Sequence, residues 1–264
     1  MPLKIAVSGK GGVGKTTVAA VLASLLARDG LNVIAVDADP ASSLPAALGV
    51  PEAERDGIVP LSQMLDLIEE RTGMRPGSGP GGLYSLNPKV DDLAERYAVR
   101  CSDGVRLLVL GTIKTPGSGC FCPESSLLKA LLNHLVLDED HVMVLDMEAG
   151  LEHLGRSTVR SVDMLLVVVE PGRRSVDTAA RIGALARELG VKRVFAVLNK
   201  VTSPEQETEI LRLLRDSGLQ CLAIIPYDER LVEADLAGRP AMSSGADSVL
   251  EAIAALKEEM LRIA

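Results

Sequence analysis

The sequence predicts an α/β protein with a single doubly wound, mainly parallel sheet of about seven to eight strands and helices on both faces. Short aliphatic runs recur along the chain without polar alternation, which is typical of strands buried on both faces. Segments with helical periodicity lie between these runs, so strand and helix alternate over most of the length. No linker or internal repeat interrupts this pattern. We therefore expect residues 1–264 to form one domain.

The predicted elements follow this alternation from end to end. Strands are predicted at Leu3–Ser8, Asn32–Asp37, Val105–Leu110, Val142–Asp146, Met164–Val169, Arg193–Asn199 and Gln220–Ile225. Helices are predicted at Thr16–Asp29, Glu124–Leu137, Ser175–Leu189, Pro204–Ser217 and Ser248–Ile263. The stretch Pro51–Gly104 is the least regular, because a Gly/Pro cluster at Pro76–Gly82 favours a loop. It contains one amphipathic helix, predicted at Leu61–Arg71, and an additional strand, predicted near Leu83–Leu86.

Composition excludes several classes of protein. The chain has 28 Lys and Arg residues against 36 Asp and Glu residues, which gives a formal net charge of −8. An acidic balance argues against binding to nucleic acid or to anionic membranes through bulk electrostatics. With no Trp, 2 Phe and 3 Tyr, the chain also has few side chains on which bases stack. We expect neither nucleic acid nor membrane among its partners.

The compartment follows from what the sequence lacks. The longest aliphatic runs are far too short to span a bilayer, and the N-terminus has no secretory signal pattern. Four cysteines, unevenly spaced, do not form a disulfide framework. The sequence therefore predicts a cytoplasmic protein with free thiols, located at Cys101, Cys120, Cys122 and Cys221.

A glycine-rich loop follows the first predicted strand. It reads Gly-Lys-Gly-Gly-Val-Gly-Lys-Thr and matches the P-loop pattern, with a helix directly after it. Glycines let backbone N–H groups surround phosphate oxygens, Lys15 supplies positive charge to the β- and γ-phosphates, and the Thr16 hydroxyl is positioned for Mg²⁺. The sequence thus predicts a P-loop NTPase whose phosphate-binding residues are Gly9, Lys10, Gly11, Gly12, Val13, Gly14, Lys15, Thr16 and Thr17.

Carboxylates stand at the ends of two further strands. Asp37 and Asp39 end the second strand, and Asp146 ends the aliphatic run that begins at Val142. Ligands bind at the carboxyl ends of parallel strands, so these side chains are expected near the phosphates and Mg²⁺. The following residues, including Glu148 and the hinge-permitting Gly150, form a predicted switch II segment that responds to the γ-phosphate.

The segment Asn199-Lys200-Val201-Thr202 predicts which nucleotide base the protein binds. A guanine site of the Asn-Lys-x-Asp kind needs a carboxylate where this chain has Thr202. The amide of Asn199 is able to pair with adenine as donor and acceptor. We therefore expect ATP, and its product ADP, as the nucleotides.

With Lys10 preceding the glycines, the loop resembles that of the MinD/ParA/nitrogenase-iron-protein class of deviant Walker A ATPases. In this class the corresponding lysine reaches the phosphates bound by the other subunit of a nucleotide-sandwich dimer. The resemblance implies that Lys10 acts in trans, that Asp39 orients the attacking water, and that Asp37 and Asp146 join Thr16 in the Mg²⁺ shell. It also implies that Pro226-Tyr227 belongs to an adenine-side loop.

Two cysteines flank Phe121 just before a predicted helix. With Pro123 at the first helical position, Cys122 falls at the N-cap, where the helix dipole favours a metal-binding thiolate. Cys120 and Cys122 supply two ligands; a two-fold axis beside them would assemble four thiolates, enough for tetrahedral Zn²⁺ or planar Ni²⁺. The alternative is two small apolar residues in a strand-to-helix turn.

Together with the segment 146–156, this cysteine pair resembles the CooC-type nickel-insertion ATPases, which mature carbon monoxide dehydrogenase; a related protein serves acetyl-CoA synthase. The resemblance implies an ATP-hydrolysing homodimeric metallochaperone that carries nickel on Cys120 and Cys122, with zinc able to substitute, and delivers it to such a client enzyme. The alternative is a MinD/ParA-type positioning or partition ATPase without a metal role. An iron–sulfur carrier ranks third, because the cysteine spacings of that group are missing.

Overall fold

The computed structural model describes residues 3–78, 83–111, 122–137, 141–148 and 162–264. Its strands are β1 (Leu3–Gly9), β2 (Val33–Asp37), β3 (Val99–Arg100), β4 (Arg106–Val109), β5 (Val142–Asp146), β6 (Met164–Val169), β7 (Arg193–Val201) and β8 (Gln220–Pro226). Its α-helices are α1 (Lys15–Arg28), α2 (Leu44–Ala47), α3 (Glu52–Arg55), α4 (Leu65–Thr72), α5 (Leu93–Tyr97), α6 (Pro123–Leu137), α7 (Arg173–Glu188), α8 (Pro204–Asp216), α9 (Glu229–Leu236) and α10 (Asp247–Ile263).

The strands form one eight-stranded sheet in the order β3-β4-β2-β5-β1-β6-β7-β8. All neighbouring pairs are parallel except β3 with β4, which pair antiparallel at the edge. The chain starts near the middle of the sheet and extends it in both directions, which is the doubly wound arrangement the alternating pattern predicts. The predicted fold class is confirmed. The expectation of one domain over residues 1–264 stays a prediction.

Each face of the sheet is covered by helices. Along β2, Ile34 and Val36 pack into the core that contains α6 and α7, whereas Val33 and Ala35 pack into the core that contains α1 and α10. Alternate residues of one strand thus enter opposite cores, and all five residues of β2 are buried. This explains why the strands read as continuous aliphatic runs in the sequence.

The additional strand predicted near Leu83–Leu86 is wrong. These residues form no strand, and Leu83 and Leu86 are 96% and 69% exposed, so their apolar side chains have no core to enter. The extra strand is instead β3, two residues long, which pairs with β4. The helix predicted at Leu61–Arg71 is present as a 3-10 turn at Leu61–Gln63 followed by α4.

The last helix, α10, packs against the domain along its length. Its apolar side chains Val249, Ile253, Leu256 and Met260 are buried in the core shared with α1. The Lys257 ammonium is also buried and pairs with Asp29, just after α1. Within the described ranges, no helix is long and apolar enough to cross a membrane.

We expect Ile253→Ala to lower the free energy of unfolding by about 2–5 kcal/mol, because it leaves a cavity where a fully buried side chain stood. The matched control is Leu261→Ala on the same helix, which removes a side chain that is 41% exposed and is expected to cost less than about 1 kcal/mol. Urea unfolding of both variants measures the difference. Equal losses would contradict the packing of α10 described above.

Candidate nucleotide-binding site

The parallel strands bring the predicted site residues to one edge of the sheet. β2, β5, β1, β6 and β7 are consecutive neighbours, and their carboxyl ends lie side by side. Asp37 and Asp146 are register partners on β2 and β5, and Gly9 on β1 is the partner of Val168 on β6. Asn199 and Lys200 lie near the end of β7. Ligands bind at such an edge in open α/β sheets.

Two residues near the end of β7 donate hydrogen bonds to carbonyls of the P-loop. The Asn199 amide Nδ2 donates to the Val13 carbonyl at 2.8 Å, and the Lys200 ammonium donates to the Gly12 carbonyl. Gly14 has a φ of 96°, and a side chain there would collide with the Asn199 amide. The loop is thus fixed by its neighbour strand, which leaves the helix start at Lys15 directed toward the phosphate position.

Two lysines of the loop are paired with carboxylates. The Lys15 Nζ is buried and lies 3.6 Å from Asp39 Oδ2, while the exposed Lys10 has its Nζ 4.0 Å from Glu170 Oε1. Asp39 also accepts a hydrogen bond from the Ala41 amide at 2.9 Å, which orients its carboxylate. A phosphate that binds Lys15 would compete with Asp39 and release that carboxylate toward water.

The Asp146 and Asp37 carboxylates are fully buried beneath the loop. Asp146 Oδ2 accepts a hydrogen bond from the Thr16 hydroxyl at 2.6 Å, which ties the first turn of α1 to β5. Asp37 accepts from the Asp39 amide and from the Ser42 hydroxyl, both at 3.1 Å. Asp37 therefore organises the chain after β2, and Asp146 organises the P-loop.

Burial changes the acidity of both carboxyls. Removal from water raises the pKa of Asp37 from 3.8 to about 6, against the hydrogen bonds from Asp39, Ser42 and Leu44 that lower it. Burial likewise raises the pKa of Asp146 from 3.8 to about 7, opposed by the Thr16 hydrogen bond, with the negative charge of Asp37 adding to the rise. Two adjacent buried carboxyls of this kind favour binding a cation.

The residues around Asp146 fit Mg²⁺. Asp146 Oδ1 is buried and accepts no hydrogen bond from any described residue, so it offers a free ligand oxygen. The Thr16 hydroxyl beside it is a second oxygen, and oxygen donors with room for phosphates and water are what Mg²⁺ requires. Asp37 stands next in register, with both oxygens already accepting hydrogen bonds.

The start of the predicted switch II segment is joined to β1. The Ser8 hydroxyl donates to the Glu148 carbonyl at 3.1 Å, and the Met147 amide donates to the Val7 carbonyl at 3.1 Å. The Glu148 side chain is exposed. Gly150, the predicted hinge, lies outside the described residues. These two hydrogen bonds join the end of β1 to the chain that follows β5.

The two segments predicted to bind the adenine base are neighbours in the structure. The Tyr227 amide donates to the Val201 carbonyl at 2.9 Å, which places Pro226-Tyr227 beside Asn199-Lys200 at the sheet edge. Tyr227 is half exposed. The Asn199 amide donor is already used on the P-loop, so the structure gives this residue a supporting role that the sequence did not suggest. Adenine recognition by Asn199 stays a prediction.

The cysteines divide into two groups. The carbonyl of Cys122 accepts a hydrogen bond from the Ser126 amide at 3.2 Å, so Cys122 does stand immediately before α6; its Sγ lies 3.1 Å from the Ser125 hydroxyl. Cys120 lies outside the described residues. The other two cysteines lie elsewhere in the fold, and burial raises the pKa of the Cys101 thiol to about 11 and also raises the pKa of Cys221. Burial thus disfavours the thiolate form of both Cys101 and Cys221.

Sequence reasoning missed Glu170. It follows β6 directly and faces both Lys10 and Lys200 across the sheet edge. The same rule that selected Asp37 and Asp146, a carboxylate at the end of an aliphatic strand, would have selected it.

A family model, described as the CobQ/CobB/MinD/ParA nucleotide binding domain, matches residues 4–241. The chain belongs to this family. It is 44% identical over 236 residues to the carbon monoxide dehydrogenase accessory protein CooC of Rhodospirillum rubrum, covering 89% of this chain and 88% of that protein. It is 45% identical over 238 residues to an uncharacterized ATP-binding protein of Methanocaldococcus jannaschii, covering 90% of each. Like other members, the chain is a P-loop ATPase.

Solved structures of the family share the fold. The cell division protein MinD of Aquifex aeolicus matches with a TM-score of 0.71 at 21% identity, over 99% of this chain and 98% of that one. MinD of Pyrococcus horikoshii, solved as a complex with Mg-ADP, matches with a TM-score of 0.70 at 22% identity, over 100% and 97%. At these identities the likeness shows the fold alone.

We expect Gly14→Ala to lower the free energy of unfolding by about 1–3 kcal/mol. The substitution places a side chain on a left-handed backbone and makes it collide with the Asn199 amide. Gly11→Ala is the matched control, since that residue lacks a left-handed φ and its added methyl meets nothing within 4 Å. Urea unfolding without nucleotide measures both. Equal losses of unfolding free energy in the two variants would contradict the close packing of Asn199 against the P-loop.

We expect Asp146→Asn to stabilise the chain at pH 8, without Mg²⁺, by up to a few kcal/mol. The folded pKa of Asp146 exceeds the unfolded value, so the native state binds more protons and wild-type stability falls as pH rises from about 4 to about 7. At pH 4 the variant and wild type should differ little. Thermal unfolding from pH 4 to 8 measures this.

The exposed Asp177→Asn on α7 serves as the charge-matched control and should follow wild type at every pH. Added Mg²⁺ should stabilise wild type at pH 8 and leave Asp146→Asn unaffected. A variant with the pH profile of wild type would show that the Asp146 carboxyl is not held at a raised pKa.

Proposed function

We propose that this chain is an ATP-hydrolysing metallochaperone that binds nickel, or zinc in its place, through Cys120 and Cys122 at a homodimer interface. Its client would be carbon monoxide dehydrogenase or the related acetyl-CoA synthase. The observation that carries the proposal is the 44% identity, over 89% of the chain, to a carbon monoxide dehydrogenase accessory protein. The cysteine pair in a P-loop ATPase of this family supports the metal role.

The topology supports a link between the cysteines and the nucleotide. α6 connects β4 to β5, which are both parallel to β2, so the N-terminus of α6 lies at the carboxyl edge of the sheet. Cys122 precedes that N-terminus. Cys122 therefore lies at the same edge as the P-loop, which supports a metal site near the surface where two chains would meet in a nucleotide-sandwich dimer.

The chemistry of the pair supports a shared cargo. Cys120 and Cys122 supply two thiolates per chain, and four from two chains complete a tetrahedral zinc site or a planar nickel site. Placing the site on a two-fold axis makes metal binding depend on the dimer. Any change of the interface during hydrolysis would then change the number of thiolates available to the metal.

ATP hydrolysis would use residues already positioned at the edge. Lys15 and the loop amides bind the phosphates, and Lys10 of one chain neutralises charge on the phosphates bound by the other. Asp39, released from Lys15, orients the attacking water. Thr16, Asp37 and Asp146 would form the Mg²⁺ shell, and the ion would polarise the phosphates when bound. The hydrogen bond from Ser8 to Glu148 would carry the change into switch II.

The alternative is a positioning or partition ATPase without a metal role. MinD of Bacillus subtilis is 26% identical over 239 residues, well below the identity to CooC. The apolar side of α10 is buried against the domain, which leaves this helix without a free amphipathic face for a membrane. A cytoplasmic location forms part of the proposal, because ATP and reduced thiols are both available there.

We expect about one Ni²⁺ or Zn²⁺ ion per two chains in an anaerobic titration of the wild-type protein. Cys120→Ala/Cys122→Ala should lose this binding and keep ATP binding. The control, Cys101→Ala/Cys221→Ala, removes the two neutral thiols and should bind metal as wild type does. Measuring the oligomer at each ratio tests whether metal and dimer are linked.

Equal metal binding by wild type and Cys120→Ala/Cys122→Ala, or binding by neither, would contradict the metallochaperone proposal. ATP hydrolysis that survives in that case would favour the positioning or partition ATPase.

A further inference from the structure

Glu170 stands between two lysines at the carboxyl edge of the sheet. It follows β6, which lies between β1 and β7, the strands that lead to Lys10 and carry Lys200. Glu170 Oε1 lies 4.0 Å from the Lys10 Nζ, and Oε2 lies 3.8 Å from the Lys200 Nζ. Each oxygen of one carboxylate thus faces a different lysine.

The backbone around Glu170 fixes its place. Its amide donates to the Ser175 hydroxyl in the first turn of α7 at 3.1 Å. The N-terminus of α7 begins only three residues later, and the positive end of a helix dipole favours a carboxylate nearby. On the opposite side, Lys200 donates to the Gly12 carbonyl, so Glu170 is joined to the P-loop through Lys200 as well as through Lys10.

Lys200 is itself held in an unusual backbone conformation. Its φ is 61°, in the left-handed region that residues other than glycine rarely occupy. This conformation directs Lys200 toward both the Gly12 carbonyl and Glu170, contacts that lie on the same side of the sheet edge. The surrounding structure therefore maintains the lysine–glutamate–lysine row.

We propose that Glu170 is a positioning residue for Lys10: its carboxylate holds the Lys10 ammonium beside its own P-loop and competes for it with the ATP phosphates of a second subunit. This inference rests on the proposed function, in which Lys10 acts in trans. Lys10, Glu170 and Lys200 are 45%, 32% and 40% exposed, and both contacts are longer than a charge-assisted hydrogen bond. Such pairs are weak and easily exchanged for a triphosphate of higher charge.

The test uses the full chain with Mg²⁺ and a slowly hydrolysed ATP analogue, with the dimer Kd measured by sedimentation at low and high NaCl concentration. Glu170→Gln frees Lys10 and should tighten the dimer by about two- to five-fold at low salt. The difference should shrink at high salt, where such exposed pairs are screened. Glu188→Gln makes the same charge change at the exposed far end of α7 and should match wild type.

A double-mutant cycle shows whether the effect passes through Lys10. In a Lys10→Ala background, Glu170→Gln should leave the dimer Kd unchanged; a merely structural role for Glu170 would shift it equally in both backgrounds. Thermal unfolding of every variant checks that the fold is retained.

Two outcomes overturn the inference alone. One is a Glu170→Gln dimer indistinguishable from wild type at low salt, while Lys10→Ala weakens dimerisation. The other is an unchanged Glu170→Gln effect in the Lys10→Ala background. If the wild-type chain does not dimerise with Mg²⁺ and the analogue, or if Lys10→Ala dimerises normally, the action of Lys10 in trans fails and this inference fails with it.

Discussion

The hydrogen bond from Thr16 to the buried Asp146 carboxylate joins the phosphate-binding loop to the centre of the sheet. It depends on the parallel register of β1, β2 and β5, which places Asp146 under the first turn of α1 and beside Asp37. Burying two carboxyls side by side is costly, because the charged forms lose hydration and repel one another, and this raises the pKa of both. A divalent cation at the free Asp146 oxygen would offset that cost, so binding of the metal and the nucleotide is linked to the packing of the sheet.

Positive charge at the same edge is balanced by carboxylates from neighbouring strands. Asp39 pairs with Lys15, and Glu170 stands between Lys10 and Lys200. Each P-loop lysine therefore has a partner of one negative charge, which a triphosphate of higher charge can replace. The buried Lys15 and the exposed Lys10 differ in how strongly solvent screens this exchange, because screening is weaker for the buried group. Exchange of a carboxylate for phosphate at Lys10 should therefore be more sensitive to salt than the same exchange at Lys15.

The position of α6 connects this edge to Cys122. Because β4 runs parallel to β2, the chain leaves β4 at the nucleotide edge and enters α6 after Cys122. Dimer contacts, metal ligands and phosphates would therefore share one surface. Under the proposed function, hydrolysis and metal transfer would then need no long conformational pathway between them.

The sequence by itself determined the fold class, the P-loop, and the carboxylates at strand ends, because aliphatic runs and glycine spacing are local properties of the chain. Local patterns do not show burial, so the apolar run at Leu83–Leu86 resembled a strand although it is exposed. Only the tertiary structure decided which residues meet across strands: Asn199 and Lys200 on the P-loop carbonyls, and Glu170 between Lys10 and Lys200. Strand order sets these contacts, and residues distant in sequence become neighbours only when the sheet is assembled.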